Sequence, residues 1–239
     1  MSSDLVQLTE HVWLLPLNAQ QRLRPSVGVI RTAQHTVLVD TGFGPDDASR
    51  IQKSLVTLNA PAVSHIIYTH HHHDHVFGAC VFAAPIIAHE LCYKLLHELQ
   101  KTWSVESLQR ESTQDSHHAE WQRELLRSVK DWSQFRIMLP TITFPHALRM
   151  HLDDVTLELK HVGGKHSADS VTVHVKEDDV LFLGDCFYRS RHAGPDLDFL
   201  ESLLNDHTRL YIDAHSEPRT RTQVVEMIAR RQARQHIAN

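Results

Sequence analysis

Thr69-His70-His71-His72-His73-Asp74-His75 places six ionisable side chains in seven consecutive positions. Val63 to Thr69, which leads into it, is an apolar, β-branched run and reads as a buried strand. The junction matters because α/β proteins present functional groups at strand ends. In an extended chain alternate side chains point the same way. His70, His72 and Asp74 are therefore expected to face one pocket, and His71 and His73 to face away. His75 rejoins the pocket if the chain turns there. Imidazole and carboxylate together are donors that borderline ions such as zinc accept.

Working outward, the preceding part of the chain reads as β. Candidate strands are His11 to Leu17, Pro25 to Ile30, and Thr36 to Asp40, the last ending at the turn Thr41-Gly-Phe-Gly44. Pro45 then opens a helix with Ala48, Ile51, Leu55 and Leu58 at helical spacing. Beyond the histidines, Pro85 to Ala88 reads as a short strand, and the pattern turns helical from His89 to about Phe135. Leu91, Leu95, Leu99 and Trp103 are expected to line one face, and Trp121, Leu125, Val129 and Trp132 another. The polar stretch from Ser104 to His118 reads as a connection. Strands return at Thr141 to Phe144, Leu148 to Leu152, Val155 to His161, Ser170 to Val175 and Val180 to Gly184. A helix around Asp196 to Leu204, a strand at Leu210 to Asp213 and a helix from Thr220 onward complete the chain. This order predicts an α/β fold of packed sheets with helices outside. It is read as a single domain over 1–239 with a helical insertion at about 89–138.

The composition is that of a globular chain: 239 residues, 41% apolar and 22% charged, with a net charge of −5. A mildly acidic chain without a basic patch argues against nucleic acid as partner, and no apolar run reaches bilayer length. Met1 to Gln7 lacks the basic-then-apolar pattern of an export signal. Cys80, Cys92 and Cys186 form no C-x-x-C pair and read as reduced thiols. Both observations point to a cytoplasmic setting. Histidine is the outlier, at 21 residues.

The pattern His70-x-His72-x-Asp74-His75 resembles the signature of the metallo-β-lactamase superfamily. Four further segments agree with that family in order: Val39-Asp40-Thr41-Gly42, Gly164-Lys-His166-Ser-Ala-Asp-Ser170, Leu181-Phe-Leu-Gly-Asp185 and Ile212-Asp-Ala-His215. The resemblance implies a four-layer αββα sandwich. It implies that His70, His72 and His166 hold one metal, that Asp74, His75 and His215 hold a second, and that Asp185 bridges them. Two zinc ions are expected, with iron or manganese as alternatives. Asp40 is expected either to orient a ligand histidine or to be a plain turn aspartate. The implied chemistry is attack by a hydroxide held between two metals on the carbonyl of a small lactone, thioester or ester. Asp74 would orient the nucleophile and carry a proton to the leaving group.

Lys165 replaces the family's usual glycine before the third histidine. Ser170 replaces a glycine often found four residues after it, preceded by Asp169, and Ser216-Glu217 follows the last histidine. Cys186 occupies a place near which one branch of the β-lactamases carries a cysteine ligand. That branch lacks a counterpart of His75, so Cys186 reads as a buried thiol. Tyr188 lies three residues after Asp185, as in lactonases of this fold, where a tyrosine stabilises the attacked oxygen; its alternative is a core or rim tyrosine. Lys165 could meet an anionic substrate or be an ordinary surface lysine. The helical segment could form a substrate wall, pack on the sheet, or make a homodimer interface. The ligand set resembles those of glyoxalase II and of lactonases. With about two dozen residues after His215, a typical glyoxalase II, which carries a sizeable helical domain there, is the less expected of these. Other readings are iron-dependent oxidation of the persulfide dioxygenase kind, phosphoester hydrolysis, or a binding module that has lost its chemistry.

Overall fold

The computed structural model describes residues 3–17, 23–113, 119–188 and 196–238, with side chains up to 233. Among them the chain forms two sheets. The first has seven strands in the order β1-β2-β3-β4-β5-β6-β7: β1 (Val6–Gln7), β2 (Val12–Leu15), β3 (Val27–Arg31), β4 (Thr36–Val39), β5 (Val63–Ile67), β6 (Ile86–His89) and β7 (Ile142–Phe144). β1 to β4 are antiparallel neighbours, and β4 to β7 run parallel. The second sheet runs β13-β12-β11-β10-β9-β8. Its strands are β8 (Ala147–Leu152), β9 (Val155–His161), β10 (Val171–Val175), β11 (Val180–Gly184), β12 (Leu210–Asp213) and β13 (Arg219–Thr220).

Three apolar clusters define the layers. Val12, Ile30, Val37 and Ile67 from the first sheet meet Leu157, Val173, Val180 and Phe182 from the second. That is period-2 alternation used to seal two sheets face to face. The other face of the first sheet carries Val29, Leu38, Ile66 and Tyr68. It is covered by α1 (Pro45–Thr57), α3 (Glu90–Thr102), α4 (Val105–Ser112) and α5 (Ala119–Ser128). The outer face of the second sheet, with Leu181, Leu183 and Tyr211, is covered by α6 (Leu197–Leu203) and α7 (Arg221–Ala238). The architecture is the expected αββα sandwich.

Several local expectations are corrected. The stretch from Ser104 to His118 is not a plain connection, because Ser104 caps α4, accepting the Ser107 backbone N–H at 3.0 Å. A serine placed to satisfy an open helix N-terminus outweighs the polarity of the residues after it; residues 114–118 lie outside the described set. In α3 the buried positions are Cys92 and Leu96, with Leu99 and Trp103 packed beside them, whereas Leu95 is exposed. The apolar stripe is therefore shifted by one residue in the first turns, from Leu91 and Leu95 to Cys92 and Leu96, and runs as expected through Leu99 and Trp103. The extended alternation of the histidine run also stops at His72, because α2 (His73–Val76) begins there, with the His75 N–H donating to the His72 carbonyl.

Packing between the sheets brings the motif-bearing strand ends together. Gly184, at the end of β11, has φ +54, and a Cβ there would sit 2.7 Å from Cβ and Oγ1 of Thr69, at the end of β5. The absence of a side chain lets the two ends touch. A Gly184→Ala substitution is expected to destabilise the protein by roughly 1–3 kcal/mol through overpacking and strain. Urea unfolding would show a lower midpoint at an unchanged slope; an unchanged midpoint would contradict this close approach.

Candidate metal centre

The seven side chains expected as ligands converge at one edge of the sandwich. His70 follows β5, His72 precedes α2, and Asp74 and His75 lie on α2's single turn. His166 comes from the loop between β9 and β10, Asp185 follows β11, and His215 follows β12. His70 Nε2 lies 2.9 Å and His166 Nε2 3.0 Å from His72 Nδ1. His215 Nε2 lies 3.2 Å from Asp74 Oδ2, and His75 Nε2 lies 3.9 Å from the same oxygen. Asp185 sits between the two groups. Its Oδ1 is 3.3 Å from His75 Nε2, and its Oδ2 is 3.3 Å from His166 Nε2 and 3.4 Å from His215 Nε2. Among the described residues, three overlapping sets could each hold an ion: His70, His72 and His166; His70, His75 and Asp185; and Asp74, His75 and His215.

Asp40 determines which nitrogens face inward. Its side chain accepts the Thr69 backbone N–H at 2.8 Å, the Thr69 hydroxyl at 2.7 Å and His75 Nδ1 at 2.8 Å. An ionised carboxylate only accepts, so His75 carries a proton on Nδ1 and turns Nε2 inward. The Thr69 hydroxyl, having donated to Asp40, accepts from His70 Nδ1 at 3.1 Å. This leaves the Nε2 lone pair of His70 inward as well. The residue that sequence reasoning missed here is Thr69. Its only signal was its place at the last position before the histidines.

The donor set fits a cation better than it fits itself. Three imidazole nitrogens meet at His72 Nδ1, yet a nitrogen there can share one proton with one neighbour. His75 Nε2 and Asp185 Oδ1 are buried, face each other and make no hydrogen bond among the described residues. Buried polar atoms without partners are costly, and a divalent ion would satisfy them together. Burial and the neighbouring His75 hold His70 well below the ordinary imidazole range. Burial, His71 and His166 bring His72 to about 4. Burial also opposes charge on His75 and His215. There Asp185, with Asp40 and Asp74, prevails; His75 is raised well above its usual value and His215 to about 10. Half of the cluster thus offers neutral lone pairs, and the other half holds protons against carboxylates, which is where an incoming cation displaces them.

The other singled-out residues belong to none of these three sets. Tyr188 is half-buried and packed with the α6–α7 cluster, and burial raises the pKa of its phenol. Lys165 is exposed but not free, since its ammonium lies 3.3 Å from buried Asp196, the N-cap of α6. Cys186 is buried, and burial raises its thiol to about 12, consistent with an inert group. Asp213, also missed from sequence, is buried behind His215 and accepts its backbone N–H at 2.9 Å. Burial and Asp185 raise it to about 7.

The comparisons agree with this architecture. The metallo-beta-lactamase superfamily model matches residues 21–219. A metallo-beta-lactamase family protein from Thermus thermophilus superposes with a TM-score of 0.65 at 20% identity, covering 95% of this chain and 81% of that one. A metallo-beta-lactamase from Pontibacter korlensis gives 0.63 at 17% identity, covering 94% and 96%. One from Hirschia baltica gives 0.62 at 17%, covering 96% and 97%. No curated protein matches the sequence. At these identities the likeness is one of fold.

Replacing Asp40 with Asn would place an amide where three donors now converge. Metal affinity is expected to fall about 10- to 100-fold, the usual cost of losing an outer partner of a ligand histidine. Competition against a chromophoric chelator would measure it, and an undiminished affinity would contradict the role of Asp40.

Proposed function

The chain belongs to the metallo-beta-lactamase superfamily, and we propose that it is a metal-dependent hydrolase acting at the carbonyl of a small lactone, thioester or ester. The observation that carries this reading is the position of Asp185. One oxygen faces His75 while the other faces His166 and His215, which suits a bridge between two ions, one held by His70, His72 and His166 and the other by Asp74, His75 and His215. Two divalent ions, zinc in our reading, would supply Lewis acidity there, polarising a carbonyl oxygen and letting water ionise near neutral pH.

The protein's own groups would position the reactants and move protons. Asp74 turns Oδ2 toward His215 and lies with Oδ1 4.0 Å from His73 Nδ1. Its charge is secured: burial opposes it, but His73, His75 and His215 hold the carboxyl well below the usual range. The ionised carboxylate can accept a hydrogen bond from an attacking water and so orient it; in our reading it also carries that water's proton to the leaving oxygen or sulfur. We assign Tyr188 the second role, donating its O–H to the oxygen of the attacked carbonyl. A donor aimed at developing negative charge contributes most in a partly dry site.

Among the described residues no helix is long and apolar enough to cross a membrane. The partner in this reading is a small molecule in water.

Acid release at constant pH, followed over lactones, thioesters, esters and β-lactams with and without a chelator, tests the proposal. Chelator-sensitive release from one of the first three classes is expected. Asp74→Asn should lower kcat by about 10²- to 10⁴-fold, and Tyr188→Phe by about 10²-fold. No release from metal-replete protein would overturn the carbonyl reading and direct attention to phosphoesters and iron-dependent oxidation.

A further inference from the structure

His71 lies between two candidate ligands and has no task in the reading above. It turns away from the centre, as alternation predicts, and its Nδ1 lies 3.1 Å from Asp169 Oδ1. The Ser167 hydroxyl also donates to that oxygen and lies 3.4 Å from His71 Nδ1. On its other side the His71 ring packs against the ring of His72, with centroids 4.7 Å apart.

The Asp169 side chain is 0% exposed. Its Oδ2 makes no hydrogen bond among the described residues. Burying a carboxylate costs several kcal/mol unless positive charge and hydrogen bonds compensate. Here the compensation is local: the His71 ring at 3.1 Å and the Ser167 hydroxyl both meet its Oδ1. A residue serving only to close a loop would need no charge, because the backbone already closes this one: the Val171 N–H donates to the Thr69 carbonyl at 2.8 Å. The placement is also specific. The set of His70, His72 and His166 comes from two segments, and the Asp169–His71 contact spans those same two segments. Among the described residues, neither side chain makes a hydrogen bond or ion pair with Asp74, His75 or His215. Asp40 already orients His70 and His75 through their second nitrogens, but it has no contact with His72.

We propose that Asp169 is a positioning residue for one half of the metal centre: through the His71 imidazole it sets the His72 ring so that Nδ1 points to His70 and His166. This rests on the reading of the cluster as a metal centre and adds a residue to it.

Zinc affinity in two backgrounds tests the idea. His215→Ala leaves the set of His70, His72 and His166 intact, and His166→Ala leaves that of Asp74, His75 and His215. Asp169→Asn, nearly isosteric, is expected to weaken zinc about 10- to 100-fold in the His215→Ala background and to change it less than about threefold in the His166→Ala background. With cobalt in place of zinc, the visible absorption should shift only in the first. Should Asp169→Asn fail to fold, His71→Phe carries the same expectation, because it keeps a ring against His72 while cutting the link. Parent variants that bind no zinc would sink the metal centre itself and this proposal with it. Parents that bind zinc, with both backgrounds weakened alike or neither weakened, would sink the role of Asp169 alone.

Discussion

The Asp40 carboxylate, 2% exposed, takes the backbone N–H of Thr69, the hydroxyl of Thr69 and Nδ1 of His75. It does so from a left-handed backbone conformation, φ +65, which aspartate tolerates better than most residues. The turn after β4, the end of β5 and the short helix α2 are thereby locked as one unit. Two ligand histidines receive their tautomers from this one group, directly at His75 and through the Thr69 hydroxyl at His70. Without it these rings could present either nitrogen, and the convergence of lone pairs would be lost.

That convergence places the centre under electrostatic tension. Burial and neighbouring rings lower the pKa of His70 and His72, while the carboxylates that face His75 and His215 raise theirs against burial. Asp185 lies at the boundary and answers to both sides. The arrangement is poorly satisfied by its own hydrogen bonds, and this is why its chemistry points outward to a cation. Preorganisation of this kind is maintained by the sandwich, since each ligand-bearing loop leaves a strand whose alternate side chains are sealed in the inter-sheet core.

The helical layer is tied to the same edge. Buried Arg24 bridges Asp46 and Asp47 of α1 to Glu124 of α5, with separations of 2.7 to 2.8 Å. Trp121 of α5 stacks on His73, the neighbour of Asp74, with ring centroids 4.3 Å apart. The helices that follow β6 thus do two things at once: they cover the first sheet, and they place an aromatic surface against the turn that carries Asp74 and His75.

Much of this was legible in the sequence. The run His70 to His75, the apolar strand before it, and the turn at Asp40 to Gly42 specify donor types and their order along the chain. Period-2 alternation specifies which strand faces are sealed, because it follows from local backbone geometry alone. The stripe of α3 and the capping of α4 were not legible in the same way. Periodicity fixes a helix only to within a residue or so of rotation, and Ser104 reads equally as a polar loop residue and as a cap. What tertiary structure alone decided are the partners: Asp40 with Thr69, 29 positions away, and Asp169 with His71, 98 positions away. Contacts at such separations depend on which strand ends the two sheets bring side by side, and no local pattern encodes that distance.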